Sequence, residues 1–172
     1  MTTTIDKLVA DYQRIAEERM RGLPLYNDNL SVEAVAFREW EGRQLGILIT
    51  PWFMNLILLP ADGEQGSDHG TKTAWELPSG HYDFDTCVSD EAGPHQSAAL
   101  FSTVGDFPDQ GTAREVACEV MVRLFQRNAG NHEQHDIVEP AIDNLMQKEM
   151  SRRELFRWLA PGADDDGRHE DA

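Results

Sequence analysis

The residues of this chain best suited to chemistry are two sets of histidines and carboxylates. His132 and His135, with Glu133 and Asp136 around them, have the side chains that bind divalent metals. A helical zinc site sets its histidines four apart on one face, whereas these stand three apart beside Gly130 and Asn131, so the string reads as a polar loop. The second set is His81, Asp83 and Asp85, which alternate along a strand and so share one face. They are candidates for acid–base work or for carrying a metal or iron-sulfur group, although alternation alone gathers polar residues on a solvated face. Cys87 and Cys118 lie in unlike contexts with no CxxC spacing and no local base to activate a thiolate. There is no glycine-rich phosphate loop and no GxSxG. The expected profile is non-catalytic, with no catalytic, metal or cofactor-binding residue assigned.

Binding chemistry is easier to place. From Trp40 to Pro60 apolar residues run almost unbroken, with two large aromatics beside Pro51. The run from Ile47 to Leu59 is too short to span a bilayer, which needs about 20 apolar residues, so it belongs inside the fold. Phe53 and Met54 are core by general burial tendency. Trp52 follows a strand-ending proline in a turn, where a large amphipathic side chain is well placed to meet a partner. A second binding string is Ser151 to Arg157, SRRELFR, close to the twin-arginine export motif S-R-R-x-F-L-K. Export signals are N-terminal and precede an apolar segment, but here Pro161 and acidic residues follow. Arg152, Arg153 and Phe156 are therefore read either as a capped helix or as a mimic of a partner's twin-arginine peptide.

Several elements must position these groups. Ile5, Leu8, Val9, Tyr12, Ile15, Ala16 and Met20 recur at three and four, predicting an amphipathic helix from Thr4 to near Gly22. Glu41-Gly42 lies between two apolar runs and predicts a hairpin; Pro51 ends the second strand, and Asn55 to Leu59 forms the third. Ala61 to Lys72 has no large apolar anchor and reads as an exposed loop. Tyr82, Phe84, Thr86 and Val88 alternate with His81, Asp83, Asp85 and Cys87, giving a half-buried strand, and Ser97 to Val104 gives a fifth. A capping box at Thr112 to Glu115 opens a long helix near 112–126, whose stripe of Ala113, Val116, Ala117, Val120, Met121 and Leu124 covers one sheet face. Pro140 to Gln147 and Ser151 to Leu159 form short helices at the C-terminal end. The expected fold is α+β, a largely antiparallel sheet of about five strands with an N-terminal helix, the long helix and a short C-terminal helix.

The 172 residues, 40% of them hydrophobic, suffice for one core, so a single domain over 1–160 is expected, with 161–172 as a solvated acidic tail. The net charge of −16, from 31 acidic and 15 basic residues, argues against nucleic acid and favours a basic partner. The first residues lack a basic region followed by an apolar one, so no secretory signal is predicted and the expected location is the cytoplasm.

Five strings taken together resemble one family: IAEERM in the first helix, the WEG turn, ITPWFMNLILLP, LPSG before HYDF, and SRRELF. Over roughly Ile5 to Leu159 the sequence resembles the HybE/HupJ (HoxT-like) family of NiFe-hydrogenase assembly chaperones. That resemblance implies a small cytoplasmic α+β accessory protein, without catalytic residues. Its implied partners are an immature hydrogenase small subunit or its twin-arginine signal, the large subunit as a further candidate, and other accessory proteins. It also implies delay of export until cofactors are in place, including protection of iron-sulfur assembly. It marks Thr50, Pro51, Trp52, Met54, Leu77, Pro78 and Gly80 as family-defining, which adds Pro78 and Gly80 to Trp52, Phe53, Met54, Arg152, Arg153 and Phe156 as candidate partner-binding residues. The rubredoxin-like extension known near this family needs CxxC pairs, which this sequence lacks. A metal carrier or enzyme built on His81, Asp83 and Asp85 or on His132 and His135 is the competing class. A stable subunit of a hydrogenase assembly intermediate is the third.

Overall fold

The structure, a computed structural model, describes residues 3–126. The expected helices at 140–147 and 151–159, the His132/His135 pair, Arg152, Arg153, Phe156 and the acidic tail all lie outside the described residues. The elements run α1 (Thr4–Ile15), a π-helical turn (Ala16–Met20), β1 (Glu33–Trp40), β2 (Arg43–Ile49), β3 (Met54–Leu59), β4 (Lys72–Leu77), β5 (Gly80–Ser89), β6 (Gly93–Phe101) and α2 (Gln110–Leu124). The six strands form one antiparallel sheet in the order β1-β2-β3-β6-β5-β4. It consists of two local three-stranded meanders joined along β3 and β6.

A helix covers each face. All seven stripe residues of the first helical segment pack with Leu48, Ile57 and Leu59 on one side of the sheet. The α2 stripe packs with Leu45, Ile47, Ile49, Leu56, Leu58 and Phe84 on the other. Central strands β2 and β3 are thus buried on both sides from Leu45 to Ile49 and from Leu56 to Leu59, which is why their sequence there is a near-continuous apolar run rather than an alternation. Each Leu or Ile buried this way contributes about 1.5–3 kcal/mol of transfer free energy.

The caps differ in one place from expectation. At α1 the Thr3 hydroxyl accepts from the Asp6 N–H, and the Asp6 carboxylate accepts from the Thr3 N–H, a reciprocal capping box. At α2 the cap is Asp109, whose carboxylate accepts from the Thr112 N–H at 2.7 Å, so Thr112 lies inside the helix and is buried. Asp109 starts the helix one turn earlier because a carboxylate at that position satisfies a free helical N–H.

The sheet has six strands rather than five. The extra one is β4, whose exposed Lys72, Ala74 and Glu76 alternate with half-buried or buried Thr73, Trp75 and Leu77. An edge strand with a polar face is hard to distinguish in sequence from the loop before it. That loop is exposed as expected, yet it is tied down. Glu64 takes a 2.8 Å ion pair from Arg43, and a Cβ at Gly66 would lie 2.2 Å from the Pro94 side chain. On β5 the expected alternation holds through Phe84 and Thr86. At its end Val88 is exposed and Cys87 half-buried, because α1 rather than α2 covers that corner.

Candidate functional site

Two hairpin tips converge at one end of the sheet. The β1–β2 tip is Glu41-Gly42, both at positive φ (49° and 75°), the two-residue turn whose twist matches the flanking strands. The β4–β5 tip is Pro78-Ser79, where Pro78 sets the turn and Gly80 takes φ of 149°. Although β1 and β4 are opposite edges, the sheet curls toward the α2 face until Trp40 and Trp75 meet edge to face, centroids 5.6 Å apart. The Arg43 guanidinium sits 4.7 Å from the centre of the Trp75 ring, and the Trp75 indole N–H donates to Gln96 at 2.6 Å. The Ser79 N–H donates to the Leu124 carbonyl at 3.2 Å, so α2 ends against the LPSG turn.

Between the tips lies an open groove of about 570 Å³, with Trp40, Leu77 and Pro78 as its apolar surface and Glu41 and Glu76 at its rim. His81 also lines the groove, on an exposed sheet face where it stands 3.6 Å from Glu76 and 4.0 Å from Asp83 and is followed by Asp85, 3.9 Å from Lys72. One lysine faces three carboxylates here, so the surface attracts cations while the tryptophans supply apolar and cation–π contact. Among the described residues no group of three or more His, Cys, Asp or Glu is arranged to hold a metal ion. Cys87 and Cys118 are both free thiols, and burial and then the nearby Asp85 push the Cys87 thiol up, away from the reactive thiolate.

The structure separates the candidate partner-binding residues. Pro78 and Gly80 line the groove, whereas Trp52, Phe53 and Met54 lie elsewhere. Met54 is fully buried and Phe53 half-buried. Trp52, expected at the surface, is 9% exposed, stacked between Tyr12 and Tyr26 with centroids 6.4 Å away on each side. Its turn is internally satisfied, since the Thr50 hydroxyl accepts from the Trp52 and Phe53 N–H groups and Pro51 accepts from the Asn27 N–H. The proline does end the strand, but the turn folds inward under α1 instead of outward.

Two buried polar clusters fix that arrangement, and neither has a sequence signature. Asn27 donates to the Val104 and Phe107 carbonyls at 2.8 and 2.9 Å, tying the first loop to the chain entering α2. Asp11, 2% exposed, accepts from the Glu91 and Ala92 N–H groups and pairs with Arg14, locking α1 to the β5–β6 turn. Burial opposes its charge, yet those N–H donors hold its carboxyl below the usual range. Beside it Tyr12 and His95 share a 3.3 Å hydrogen bond. Because His95 Nδ1 faces the Gly93 carbonyl at 3.1 Å, Nδ1 carries the proton and the Tyr12 hydroxyl donates to Nε2. Burial lowers the His95 pKa below 6.5 and raises that of Tyr12 to about 12.

The groove residues Trp40, Glu41 and Glu76 were not among the expected site residues. The available signal was a tryptophan beside each of two short turns, WEG and WELPSG.

Comparison with known proteins bears on what such a groove serves. A family profile described as NiFe-hydrogenase assembly chaperone, HybE, matches residues 3–158. The chain is 46% identical over 124 residues to the probable rubredoxin HupJ of Rhodobacter capsulatus, a match covering 71% of this chain and 45% of that protein. It is 40% identical over 154 residues to the hydrogenase expression/formation protein HoxT of Azotobacter vinelandii, covering 88% of this chain and 94% of that one. The solution structure of HybE from Escherichia coli matches with a TM-score of 0.61 over 80% of this chain and 89% of that one; at 18% identity this shows a common fold. The chain belongs to the HybE family of NiFe-hydrogenase assembly chaperones.

Proposed function

We propose that this protein holds an immature NiFe-hydrogenase subunit in the cytoplasm during cofactor assembly, and that its client is the small-subunit precursor with its twin-arginine signal attached. The observation that carries this is the convergence of the WEG and LPSG turns on one aromatic, acid-rimmed groove, with Trp40, Glu41, Glu76, Pro78 and Gly80 on its walls. A signal bearing paired arginines is complementary to that rim. Charge would supply steering, weakened by salt, while Trp40, Leu77 and Pro78 supply the apolar contact that selects the client. The basic string with Arg152, Arg153 and Phe156 is proposed to compete for the same surface.

The test is co-purification of this chain with the precursor, signal intact, against the same precursor lacking its signal. Retention only with the signal supports the reading, and equal retention moves the contact to the folded part of the subunit. Capture of the large subunit alone overturns the choice of client. Deleting 151–159 should strengthen binding of a signal peptide if that string competes; unchanged binding removes the competition.

A further inference from the structure

The two edges of the sheet are not equivalent. Edge β1 is interrupted by a bulge between Val35 and Arg38, with Ala36 at φ of 55°, and Gln110 and Arg114 of α2 clamp its start through Ser31 and Glu33. Bulges and such cover prevent another chain from pairing with an edge. Among the described residues edge β4 has neither between Lys72 and Leu77, where its register with β5 is unbroken from Lys72↔Asp85 to Leu77↔Gly80. Among the described residues no strand pairs with its outer side.

The direction of its main-chain groups follows from that register. A two-residue loop joins Leu77 to Gly80, which makes this the hydrogen-bonded pair that closes the hairpin. Bonding then alternates, so Trp75 and Thr73 also bond inward to β5. The Thr86 N–H donating to the Thr71 carbonyl at 2.8 Å has the same parity. Lys72, Ala74 and Glu76 therefore direct N–H and C=O groups outward, and all three are exposed.

We infer that β4 receives an extended basic peptide as a seventh strand, main chain to main chain, and that the groove reads the side chains of that strand. This rests on the reading that the client presents a twin-arginine signal. The charge pattern selects the occupant. An added strand would place alternate side chains next to Glu76 of β4 and, one strand further in, on the side of Asp83 and Asp85, where Lys72 offsets only one of the three carboxylates and arginine is favoured. The intervening side chains would lie on the side of Trp40 and Pro78, where an arginine plane or an apolar group packs, the Trp75 ring already holding Arg43. Adjacent arginines thus reach opposite faces of the sheet and meet different chemistry on each, which an isolated acidic patch cannot do. Main-chain pairing gives affinity and the alternating pockets give selectivity.

The test uses the full chain and a synthetic S-R-R-x-F-L-K peptide, unmodified and N-methylated on alternate residues in two complementary sets. One methylated set should lose binding by about tenfold or more while the other binds as the unmodified peptide does, since only alternate N–H groups face β4. On adding the unmodified peptide, amide exchange should slow at Lys72, Ala74 and Glu76 and stay constant at Thr73 and Trp75. A74P removes only an outward N–H and should keep the melting temperature within a few degrees while losing the peptide. Equal binding by both methylated sets, unchanged exchange at the three amides, or a folded A74P that binds normally would each overturn the added strand and leave the chaperone reading standing. Failure of both the peptide and the intact precursor to bind would overturn that reading and the strand with it. Binding of the precursor alone would overturn the strand only.

Discussion

Trp40 and Trp75 touch edge to face at 5.6 Å although their strands form the opposite margins of the sheet. No other aromatic contact in the described structure joins the two edge strands. A double-mutant cycle on W40A and W75A, read by urea unfolding, should give a coupling of about 1 kcal/mol, the usual worth of an aromatic pair beyond its buried area. A coupling near zero would mean that the two edges are held by α2 alone.

Trp52→Ala should destabilise the protein by about 3–5 kcal/mol, because it empties the space between Tyr12 and Tyr26. Its effect on client binding should follow the unfolded fraction. A stable W52A protein that had lost its client would return Trp52 to the partner surface.

Glu41 holds φ of 49°, a left-handed conformation that costs a glutamate about 1 kcal/mol and an asparagine less. Glu41→Asn should therefore raise stability by about 0.5–1 kcal/mol in thermal or urea unfolding. It also removes a rim charge, so association with a twin-arginine peptide should slow, and the deficit should shrink as salt is added. Gain of stability together with loss of on-rate separates the hairpin from the groove.

Acid should loosen the α1 side of the molecule first. Burial lowers the folded pKa of His95 below 6.5, so the unfolded chain binds the extra proton and stability falls as pH drops below 6.5. Asp11 has a carboxyl below its ordinary 3.8, so its contribution is present above 3.8 and is lost at still lower pH. Melting temperatures from pH 7.5 to 5 should decline, and H95Q should flatten that decline without altering the acid limb below pH 4. A profile unchanged by H95Q would show that the histidine is solvated.

Both helices and most of the sheet were legible in sequence, because α1 and α2 present apolar stripes at helical spacing and β2–β3 form a run buried on both faces. What escaped was whatever depends on distance along the chain. Asn27, Asp11 and His95 look like ordinary polar residues until their partners, about 75 or more positions away, close around them. Trp52 was misplaced because a turn after proline shows where a strand stops, not which way its side chains then fold. Pro78 and Gly80 came from resemblance alone; only the curl of the sheet shows what they face.

The division of the sheet into two local meanders bears on how the protein assembles. β1–β2–β3 and β4–β5–β6 pair between sequence neighbours, and of the strand pairings among the described residues only the β3–β6 seam joins segments distant in sequence. Each meander can form early, and docking along that seam should be the slow step. The loop between β3 and β4 tethers the two halves, and doubling a flexible loop adds only about 0.6 kcal/mol of closure entropy. Insertions there should slow refolding modestly, whereas Asn55, which bonds Ser97 across the seam at 2.9 Å, should affect the folding rate out of proportion to its size.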